Sequence, residues 1–394
     1  MADLVKQIET LIQNGPSALE EKDRAALVEA STKLVSTFEN PFEKLLRLAF
    51  GVYEPTTLRI AVDLNLPDVA LAHNAPISIA EFAEKTGADP ALLLRILRVI
   101  VNLGVFTEDA SGKYLPTPFT PVLATGSPVK EALVHLTHLH RSVTGMPEYF
   151  AANGYQNPDD SENGPFQFAL DCKGETYFTW VVKPGNERLS KAFNATMQMQ
   201  KGEEDDTFVP AYPVQERIKN EDPDRVLIVD VGGNVGHQLI KFKEKYPSIP
   251  GKLVLQDLPQ VVNSEEAKVP ESIIKVGHDF FKPQPDLVRG AKSYYLRMIL
   301  HDWAEKQAKI ILGNIASAMA DDSLVLIDEI IVPESGVGLM EAKMDWHMLN
   351  MGASERTEAQ WRALGESVGL RLNEIFWAAS ASIGRRGVLE FVKA

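Results

Sequence analysis

The second half of the chain alternates apolar, β-type runs with segments of helical periodicity. Beyond residue 215 the apolar runs read RVLIVDVGG, KLVLQDLP, SIIKVGHDFF, SYYLRMILHDW, SLVLIDEIIVP and GVLEFV. Strands that alternate with helices form parallel βαβ units, and continuous apolar runs indicate strands that are buried on both faces. The sequence therefore predicts that residues 216–394 form an α/β domain around a largely parallel sheet.

The first part of the chain, residues 1–125, has the pattern of a winged helix. Ser78 and Glu81 have the spacing of a capping box at the start of one helix, and Asp89 followed by proline opens the next. A Ser-Gly turn between two short apolar stretches in VFTEDASGKYLPT then predicts a hairpin. We expect a helical, winged-helix-like domain here, followed by a helical connecting region at residues 126–215.

The charge of the chain separates two interpretations of this winged helix. Winged helices often bind DNA, but groove binding needs a cationic surface, and this chain has 54 acidic against 40 basic residues. The second helix offers Arg95 and Arg98 among leucines and isoleucines. We therefore expect dimerisation or packing from this domain, and no nucleic-acid partner.

Length and cysteine content indicate the class of protein and its compartment. A chain of 394 residues is too long for one simple core, which favours more than one domain. The single cysteine, Cys172, excludes an internal disulfide and is typical of a reducing compartment. The sequence has no uninterrupted apolar window of about 18 residues, and it begins with an amphipathic stretch rather than a signal peptide. We expect a cytoplasmic protein without a membrane partner.

A glycine-rich turn follows the first predicted strand, in VLIVDVGGNVGHQL. Gly232, Gly233 and Gly236 allow the backbone to turn tightly and to approach a ligand at a helix N-terminus. The turn lacks the lysine of a P-loop, and Asn234 stands where a dinucleotide fingerprint needs its second glycine. Asp230, just before the turn, would repel a pyrophosphate and favours a ligand with a cationic amine.

Acidic residues also close the next two predicted strands. Asp257 ends LVLQD about 20 residues after the turn, where a carboxylate can accept hydrogen bonds from ribose hydroxyls. Asp279 and Phe280 follow in GHDFF, and they offer an acceptor and an apolar plate to an adenine. Turn glycines and strand-terminal aspartates are individually common, but here three successive strands end in the same way. A ribose, an adenine and an amino group without phosphate describe S-adenosylmethionine (SAM) better than a nicotinamide dinucleotide.

A histidine, a carboxylate and an indole end the apolar strand YYLRMIL: His301, Asp302 and Trp303. In open α/β sheets the carboxyl ends of the strands are where ligands bind. By position alone, His301 is either a catalytic base or a strand-end histidine that is satisfied by a backbone carbonyl. The residues themselves leave both interpretations open.

The chain resembles the caffeate/flavonoid-type O-methyltransferases, and within them the fungal secondary-metabolite branch. The resemblance covers nearly the whole length and is carried by DVGGNVG, LQDLP, HDF, LRMILHDW, DEIIVPE and ASERTEAQW. It implies a Rossmann-like, seven-stranded methyltransferase sheet, an N-terminal helical dimerisation domain and a homodimer. It also implies methyl transfer from SAM to a hydroxyl of a small phenolic or polyketide-type metabolite, with S-adenosylhomocysteine as the second product.

The same resemblance assigns roles to individual residues. His301 would be the general base, with Glu329 and Glu355 bracketing and orienting its imidazole. The methyl donor would be bound by residues at the strand ends: Asp230, Gly232, Gly233, Asp257, Leu258, Asp279, Phe280, Arg297 and Trp303. The acceptor would be lined by residues of two helical segments: Phe193, Asn194, Met197, Trp346, Asn350 and Met351. Arg297 and Phe280 depart from the lysine and methionine that members of the family often have there.

Two alternatives remain beside this assignment. His135, His138 and His140 in HLTHLH lack a carboxylate or cysteine at a metal-ligand spacing, so core or acceptor-pocket positions are expected and no metal is implied. A second hypothesis keeps the fold and the bound SAM but not the methyl transfer. Some proteins that resemble the fungal branch use the sulfonium for dehydration or pericyclic ring closure, and the mass of the product distinguishes the two reactions.

Overall fold

The computed structural model describes residues 2–15, 19–199, 208–265, 267–378 and 385–394. The chain divides into two compact units, Met1–Leu133 and Val134–Ala394. The second unit holds both the aromatic helices and the sheet, and the finer division at residues 125 and 215 stays a prediction. Within the described ranges, no helix is both long enough and apolar enough to cross a membrane.

The first unit is helical apart from one hairpin. Its elements are α1 (Ala2–Asn14), α2 (Glu21–Phe38), α3 (Pro41–Phe50), α4 (Tyr53–Asp63), α5 (Leu66–His73), α6 (Ile79–Thr86), α7 (Pro90–Asn102), β1 (Phe106–Glu108) and β2 (Tyr114–Pro116). The capping box is present, since the amides of Ser78 and Glu81 each donate to the side chain of the other residue. Asp89 caps α7. The predicted order of helix, helix and hairpin is therefore confirmed.

Helices occupy the second unit up to the start of the sheet. They are α9 (His140–Thr144), α10 (Met146–Ala152), α11 (Pro165–Leu170), α12 (Tyr177–Val181), α13 (Glu187–Met199), α14 (Phe208–Ala211) and α15 (Val214–Arg217), while α8 (Pro128–His138) spans the boundary between the units. Phe166 and Tyr177 form a buried aromatic core with Leu139 and Val181. The partly buried rings of Phe178 and Phe193 pack against this core, which we call the aromatic wall.

In the described part of the chain, seven strands of the main sheet follow the order β5-β4-β3-β6-β7-β10-β9, and a short eighth strand, β8, pairs with β7. The strands are β3 (Val226–Val231), β4 (Lys252–Asp257), β5 (Ile273–Gly277), β6 (Ser293–Arg297), β7 (Leu324–Val332), β8 (Arg356–Thr357), β9 (Leu370–Trp377) and β10 (Arg386–Lys393). All pairs from β5 through β7 are parallel, whereas β10 is antiparallel to both of its neighbours. The predicted seven-stranded, mostly parallel sheet is confirmed.

The strand order reverses at β3, and this reversal positions the candidate site. From β3 the chain runs outward through β4 to β5, and it then returns to place β6 on the other side of β3. A crevice opens at the carboxyl ends of two such strands, and it is the usual ligand site of an open α/β sheet. The helices that cover the sheet are α16 (His237–Lys245), α17 (Pro259–Val262), α18 (Glu305–Ala316), α19 (Leu339–Asn350) and α20 (Glu358–Glu366).

Candidate active site

The glycine turn after β3 leaves no room for side chains. Gly232 has a φ of +71°, and a Cβ atom there would lie 2.5 Å from the Cδ1 atom of Ile299. A Cβ on Gly233 would lie 2.5 Å from the carboxyl carbon of Asp230. The amides of Gly232 and Gly233 both donate to the carbonyl oxygen of Gln256, at 2.8 and 3.1 Å. Because these amides are already used within the protein, the turn does not present them to a phosphate.

Asp230 places an acidic group beneath this turn. Its side chain is buried, and its Oδ2 atom has no hydrogen-bond partner among the described residues. Burial and the charge of Asp257 raise the pKa of Asp230 to about 7, although Arg297 opposes the shift. A buried carboxylate with an unused oxygen fits a cationic amine such as the α-amino group of SAM, because the cation would offset the desolvation of the charge.

We expect Asp230→Asn to stabilise the donor-free protein and to weaken donor binding. The folded-state pKa lies above the ordinary value, so the protonated group stabilises the fold at low pH and this contribution is lost as pH rises through about 7. Asparagine stays neutral, which should raise the unfolding free energy above that pH by on the order of 2 kcal/mol. Loss of a charged acceptor should weaken donor binding by about 10- to 100-fold.

Thermal unfolding and calorimetric titration with S-adenosylhomocysteine measure these two effects. Asp224→Asn is the matched control, because the side chain of Asp224 is 88% exposed and lies outside the crevice. A variant that binds the nucleoside as tightly as the wild type would contradict the assignment of Asp230.

Asp257 and Asp279 lie at the ends of their strands, as expected. Asp257 accepts hydrogen bonds from the amides of Asn234 (2.8 Å) and Leu258 (2.7 Å), so it also holds the glycine turn against β4. Asp279 accepts from the amide of Phe281 at 3.0 Å and remains partly exposed. Leu258 is 42% exposed beside Asp257. The carboxylates at these two strand ends are therefore suited to accept hydrogen bonds, Asp257 from a ribose and Asp279 from an adenine.

Aromatic side chains form the apolar side of the donor site. Trp303 is buried and meets Phe280 and Phe281 edge-on, with ring centroids 5.8 and 4.8 Å apart. Phe178 of α12 packs on the same indole at 5.3 Å. Arg297 lies 3.8 Å from Asp328, which also binds Tyr295 and Arg386. The donor-site residues inferred from the resemblance thus lie along the carboxyl ends of β3, β4, β5 and β6, and their contact with a donor stays a prediction.

His301 lies in a single 3₁₀ turn, Leu300–Asp302, that follows β6. The turn begins after Met298, whose φ of +51° bends the chain out of the sheet. The imidazole is buried, and its Nδ1 atom lies 2.9 Å from an oxygen of Glu355. Its Nε2 atom lies 3.5 Å from Asp302. A carboxylate on Nδ1 favours the tautomer that carries its proton there and leaves Nε2 as the proton acceptor.

Glu329 has a different position from the one expected. One of its oxygens accepts hydrogen bonds from the amides of Ile299 and Leu300, both at 2.9 Å, and from the amide of His301 at 3.4 Å. The carboxylate that is hydrogen-bonded to the imidazole is therefore Glu355, while Glu329 holds the backbone that carries the ring. Glu329 still acts on His301 through its charge, since it lies close enough to change the proton affinity of the ring.

The acidic neighbours make His301 an unusually strong base. Burial favours the neutral imidazole, but the charges of Glu329, Asp302 and Glu355 outweigh it and raise the pKa of His301 to about 10. Burial also favours the neutral form of the two carboxyl groups, and it therefore raises the pKa of Asp302 to about 6 and that of Glu329 to about 7. In the donor-free protein these acids therefore favour the cationic form of His301. A positive charge in the adjacent donor site would lower this pKa and favour the neutral ring that can accept a proton.

We expect the rate to rise with pH through the neutral range and beyond, because only neutral His301 can accept a proton. Glu355→Gln removes a charge and a charged hydrogen bond that raise the pKa of His301, so the rise should shift to lower pH. The rate reached at high pH should fall, because the ring loses its orienting carboxylate. The measurement is kcat against pH for both enzymes with one acceptor, so that ionisation of the acceptor cancels. Superimposable profiles would contradict this role of Glu355.

Some of the predicted acceptor residues meet around the aromatic core. Phe193 packs against Tyr177 and Phe178, with centroids 5.7 and 6.0 Å apart. Met351 packs against the same core. Asn350 is fully buried, and among the described residues neither polar atom of its amide has a partner. Met197 is partly buried one helical turn after Phe193.

Two predicted acceptor residues lie apart from this group. Asn194 is exposed and lines an open surface cleft of about 640 Å³ with Lys183, Glu187 and Lys191. Trp346 is 54% exposed and meets only the edge of Phe150 among the described rings, at 6.0 Å. Neither side chain therefore packs into the buried aromatic core, and their assignment stays a prediction.

Histidines pack against the same aromatic core. His135 is buried, its Nδ1 atom lies 3.2 Å from the hydroxyl of Tyr177, and its ring lies 6.2 Å from that of His347. Burial lowers the pKa of both histidines to about 4, so both are neutral at neutral pH. HLTHLH indicated His135, but no pattern in the sequence indicated His347.

Ser161 joins the aromatic wall to the segment that carries His301, Leu300–Asp302, which we call the histidine turn. Sequence reasoning did not identify Ser161. Its hydroxyl donates to the carbonyl of Gly352 at 2.7 Å and accepts from the amide of Ala304 at 2.9 Å. Its own carbonyl accepts from the side chain of Gln167 in α11 at 3.0 Å. A single buried serine thus links α11, the segment after His301 and the end of α19.

Comparison with known proteins gives consistent matches over both units. The model of the O-methyltransferase domain matches residues 174–371, and that of the O-methyltransferase dimerisation domain matches residues 46–126. Demethylsterigmatocystin 6-O-methyltransferase of Aspergillus flavus is 34% identical over 338 residues, which are 85% of this chain and 85% of that protein. A structure of LepI in complex with SAM is 29% identical and aligns over 100% of both chains with a TM-score of 0.81. A structure described as a pericyclic reaction enzyme is 28% identical, with a TM-score of 0.81 and the same coverage.

Proposed function

Since the chain belongs to the O-methyltransferase family, we propose that it transfers the methyl group of SAM to a hydroxyl of a small phenolic or polyketide-type metabolite. One relative, demethylsterigmatocystin 6-O-methyltransferase, is named for its acceptor, and it supports an aromatic secondary metabolite as the substrate class. The observation that carries the proposal is a buried imidazole at the carboxyl end of β6, held by Glu355 and next to the donor crevice.

The donor residues of this chain supply charge and shape. When bound, SAM offers a methyl group on a sulfonium that is activated for in-line displacement. Asp230 would accept hydrogen bonds from its amine, Asp257 from its ribose and Asp279 from its adenine, while Phe280 and Trp303 would exclude water from the nucleoside. Holding donor and acceptor in line is itself worth several kcal/mol.

His301 would act on the acceptor. A phenol with a pKa of about 10 is a weak nucleophile when it is protonated. Neutral His301 would take the hydroxyl proton on Nε2 while the oxygen forms its bond to the methyl carbon and the carbon–sulfur bond breaks. The proton then resides on an imidazolium that Glu355 and Asp302 stabilise, and the donor leaves as a neutral thioether. Such general base catalysis typically contributes about 10² to 10⁴ in rate.

The acceptor would lie against the aromatic wall of the second unit. Phe193 and Met351 offer apolar contact to a flat ring, and the unused amide of Asn350 offers a donor and an acceptor to an oxygen of the substrate. His135 and His347 are neutral, so they can bond to phenolic or carbonyl oxygens without adding charge. These features favour an uncharged, oxygen-rich aromatic molecule.

Mass spectrometry of the products tests the proposal. Purified protein is incubated with isotopically labelled SAM and a panel of phenolic and polyketide-type metabolites. We expect a product that gains one labelled methyl group, together with S-adenosylhomocysteine. A panel that stays unmodified although the donor binds would contradict methyl transfer.

A second candidate function is SAM-assisted chemistry without methyl transfer. The similarity to a pericyclic reaction enzyme motivates it, and so does the cationic state of His301 in the donor-free protein, since a cationic imidazole can donate a proton to a leaving hydroxyl. In that case the product would have an unchanged mass or would have lost water, and no S-adenosylhomocysteine would accumulate. The same mass spectra therefore separate the two candidates.

A second copy of this chain is the partner that the first unit favours. The side chains of α3 are largely exposed, although many are large and apolar: Phe42, Leu45, Leu48 and Phe50 are 58–66% exposed. Several large apolar side chains that are exposed together usually mark a protein–protein interface. The region also leads into the dimerisation domain at residues 46–126. Light scattering should report a dimer, and Leu45→Glu should shift the mass toward that of one chain.

A further inference from the structure

Arg356 is a fully buried cation that contacts the histidine turn from below. Its side chain has no exposed surface, yet it carries a permanent charge. Its Nη1 atom donates to the carbonyl of Leu300 and its Nη2 atom donates to the carbonyl of Trp303, both at 2.8 Å. These two carbonyls flank the turn that contains His301. A buried charge is tolerated only when its donors are used, and here they are used on this turn.

The plane of the guanidinium is fixed by two further contacts. Its Nε atom donates to an oxygen of Glu305 at 2.8 Å, in the first turn of α18. The ring of Trp361 in α20 lies 5.1 Å from the guanidinium carbon. The two Nη atoms therefore point at the turn in one orientation. A lysine has a single nitrogen and could not hold both carbonyls in this way.

The residues next to Arg356 contact the same turn. The amide of Ser354 donates to the carbonyl of His301 at 2.9 Å, and the carboxylate of Glu355 meets the imidazole at 2.9 Å. On the opposite side, Glu329 accepts from the amides at the start of the turn. The turn thus has an anion on its amides and a cation on its carbonyls. The two holders are themselves connected, since Arg356 pairs with Ile331 of β7, two residues beyond Glu329.

We propose that Arg356 is a positioning residue that sets the place and direction of the His301 imidazole by holding both ends of its turn. The inference rests on the proposed role of His301 as the proton acceptor. Arg356 touches the donor site only at the backbone carbonyl of Trp303, and its other hydrogen bonds are with Leu300, Ser354 and Glu305. Its main effect should therefore reach the reaction through His301, and binding of the nucleoside should change much less than kcat.

Arg356→Lys tests this proposal, because it keeps the positive charge and removes the pair of Nη donors that hold the two carbonyls. We expect kcat to fall by about 10- to 100-fold, since displacement of a catalytic group by about 1 Å can cost 10²-fold. The dissociation constant for S-adenosylhomocysteine should change by no more than about 3-fold, since only the backbone of Trp303 is held by Arg356. Arg362→Lys is the matched control, because Arg362 is 46% exposed and bonds to Glu358 on the surface of α20. It should keep the wild-type kcat.

The decisive comparison introduces Arg356→Lys into a His301→Ala enzyme. If Arg356 acts through the imidazole, the second substitution should leave the residual rate of the His301→Ala enzyme unchanged. An equal loss in both backgrounds would overturn the proposal, and so would a wild-type kcat for Arg356→Lys. If His301→Ala itself has wild-type kcat, the proposed base is wrong, which is a different outcome. Glu305→Gln is a milder variant on a partly exposed side chain, and it should lower kcat less while binding stays intact.

Discussion

Replacing His301 by alanine should lower kcat at neutral pH by about 10² to 10⁴ while the nucleoside still binds. The reason is that a neutral phenol attacks poorly, and the base that we propose for it is the imidazole on the turn after β6. The defect should become smaller at alkaline pH, where the acceptor loses its own proton. Initial rates over a pH range and calorimetric titration with S-adenosylhomocysteine measure the two properties.

The controls for this prediction address stability and specificity. The cation of His301 lies among Glu329, Asp302 and Glu355, so its removal leaves buried acids unpaired, and thermal unfolding must show that the variant is folded at the assay temperature. His301→Gln keeps more of the side-chain volume and should show a similar loss. His73→Ala changes a partly exposed histidine of the first unit and should have no effect on the rate. A His301→Ala enzyme that works as fast as the wild type at neutral pH would exclude His301 as the base.

Replacing Asp257 by alanine should reduce affinity for SAM and S-adenosylhomocysteine by about 10²-fold or more. A hydrogen bond to a charged group contributes about 1.5–3 kcal/mol, and a ribose diol can form two such bonds with one carboxylate. The loss is increased because Asp257 also accepts from the amides of Asn234 and Leu258. Without these bonds the glycine turn is no longer fixed to the end of β4.

Asp257→Asn separates the two contributions. The asparagine keeps one oxygen for a backbone amide but loses the charge, so we expect its affinity to lie between those of the wild type and of Asp257→Ala. Asp286→Ala, at an exposed position beyond β5, is the matched control and should bind normally. Isothermal calorimetry gives the dissociation constants. If Asp257→Ala and the wild type bind with equal affinity, Asp257 is not the residue that binds the ribose.

The sheet and its strand ends could be predicted from the sequence because they depend on local signals. The apolar runs, the glycines of the turn and the carboxylates of Asp230, Asp257 and Asp279 are each visible in a few neighbouring residues. Parallel strands bring their carboxyl ends to one edge, so these separate signals predict one crevice. His301 was visible for the same reason, since it ends an apolar strand, but its role as a base needed the resemblance.

The supports of the histidine turn could not be predicted in this way. Glu329 was expected at the imidazole, yet its hydrogen bonds are with backbone amides, because the bend at Met298 turns these amides toward β7. No pattern in the sequence indicates a role for Arg356, and only the fold, in which β8 pairs with β7, brings it to the carbonyls of Leu300 and Trp303. Asn194 and Phe193 show the remaining limit. They are adjacent in α13, yet Phe193 is partly buried against the aromatic core and Asn194 is exposed, and a helical pattern alone does not say which side of the helix faces that core.

The hydrogen bonds of Ser161 have a consequence for engineering the range of acceptors that the enzyme would take. The amide of Ser161 donates to Gln307 and its hydroxyl accepts from the amide of Ala304, so Ser161 fixes the loop before α11 to the segment after His301 without involving α13. Mutant libraries confined to α13 should therefore yield enzymes with new substrate ranges and retained turnover. Libraries that include Ser161 should yield mostly inactive clones, whatever cavity they create.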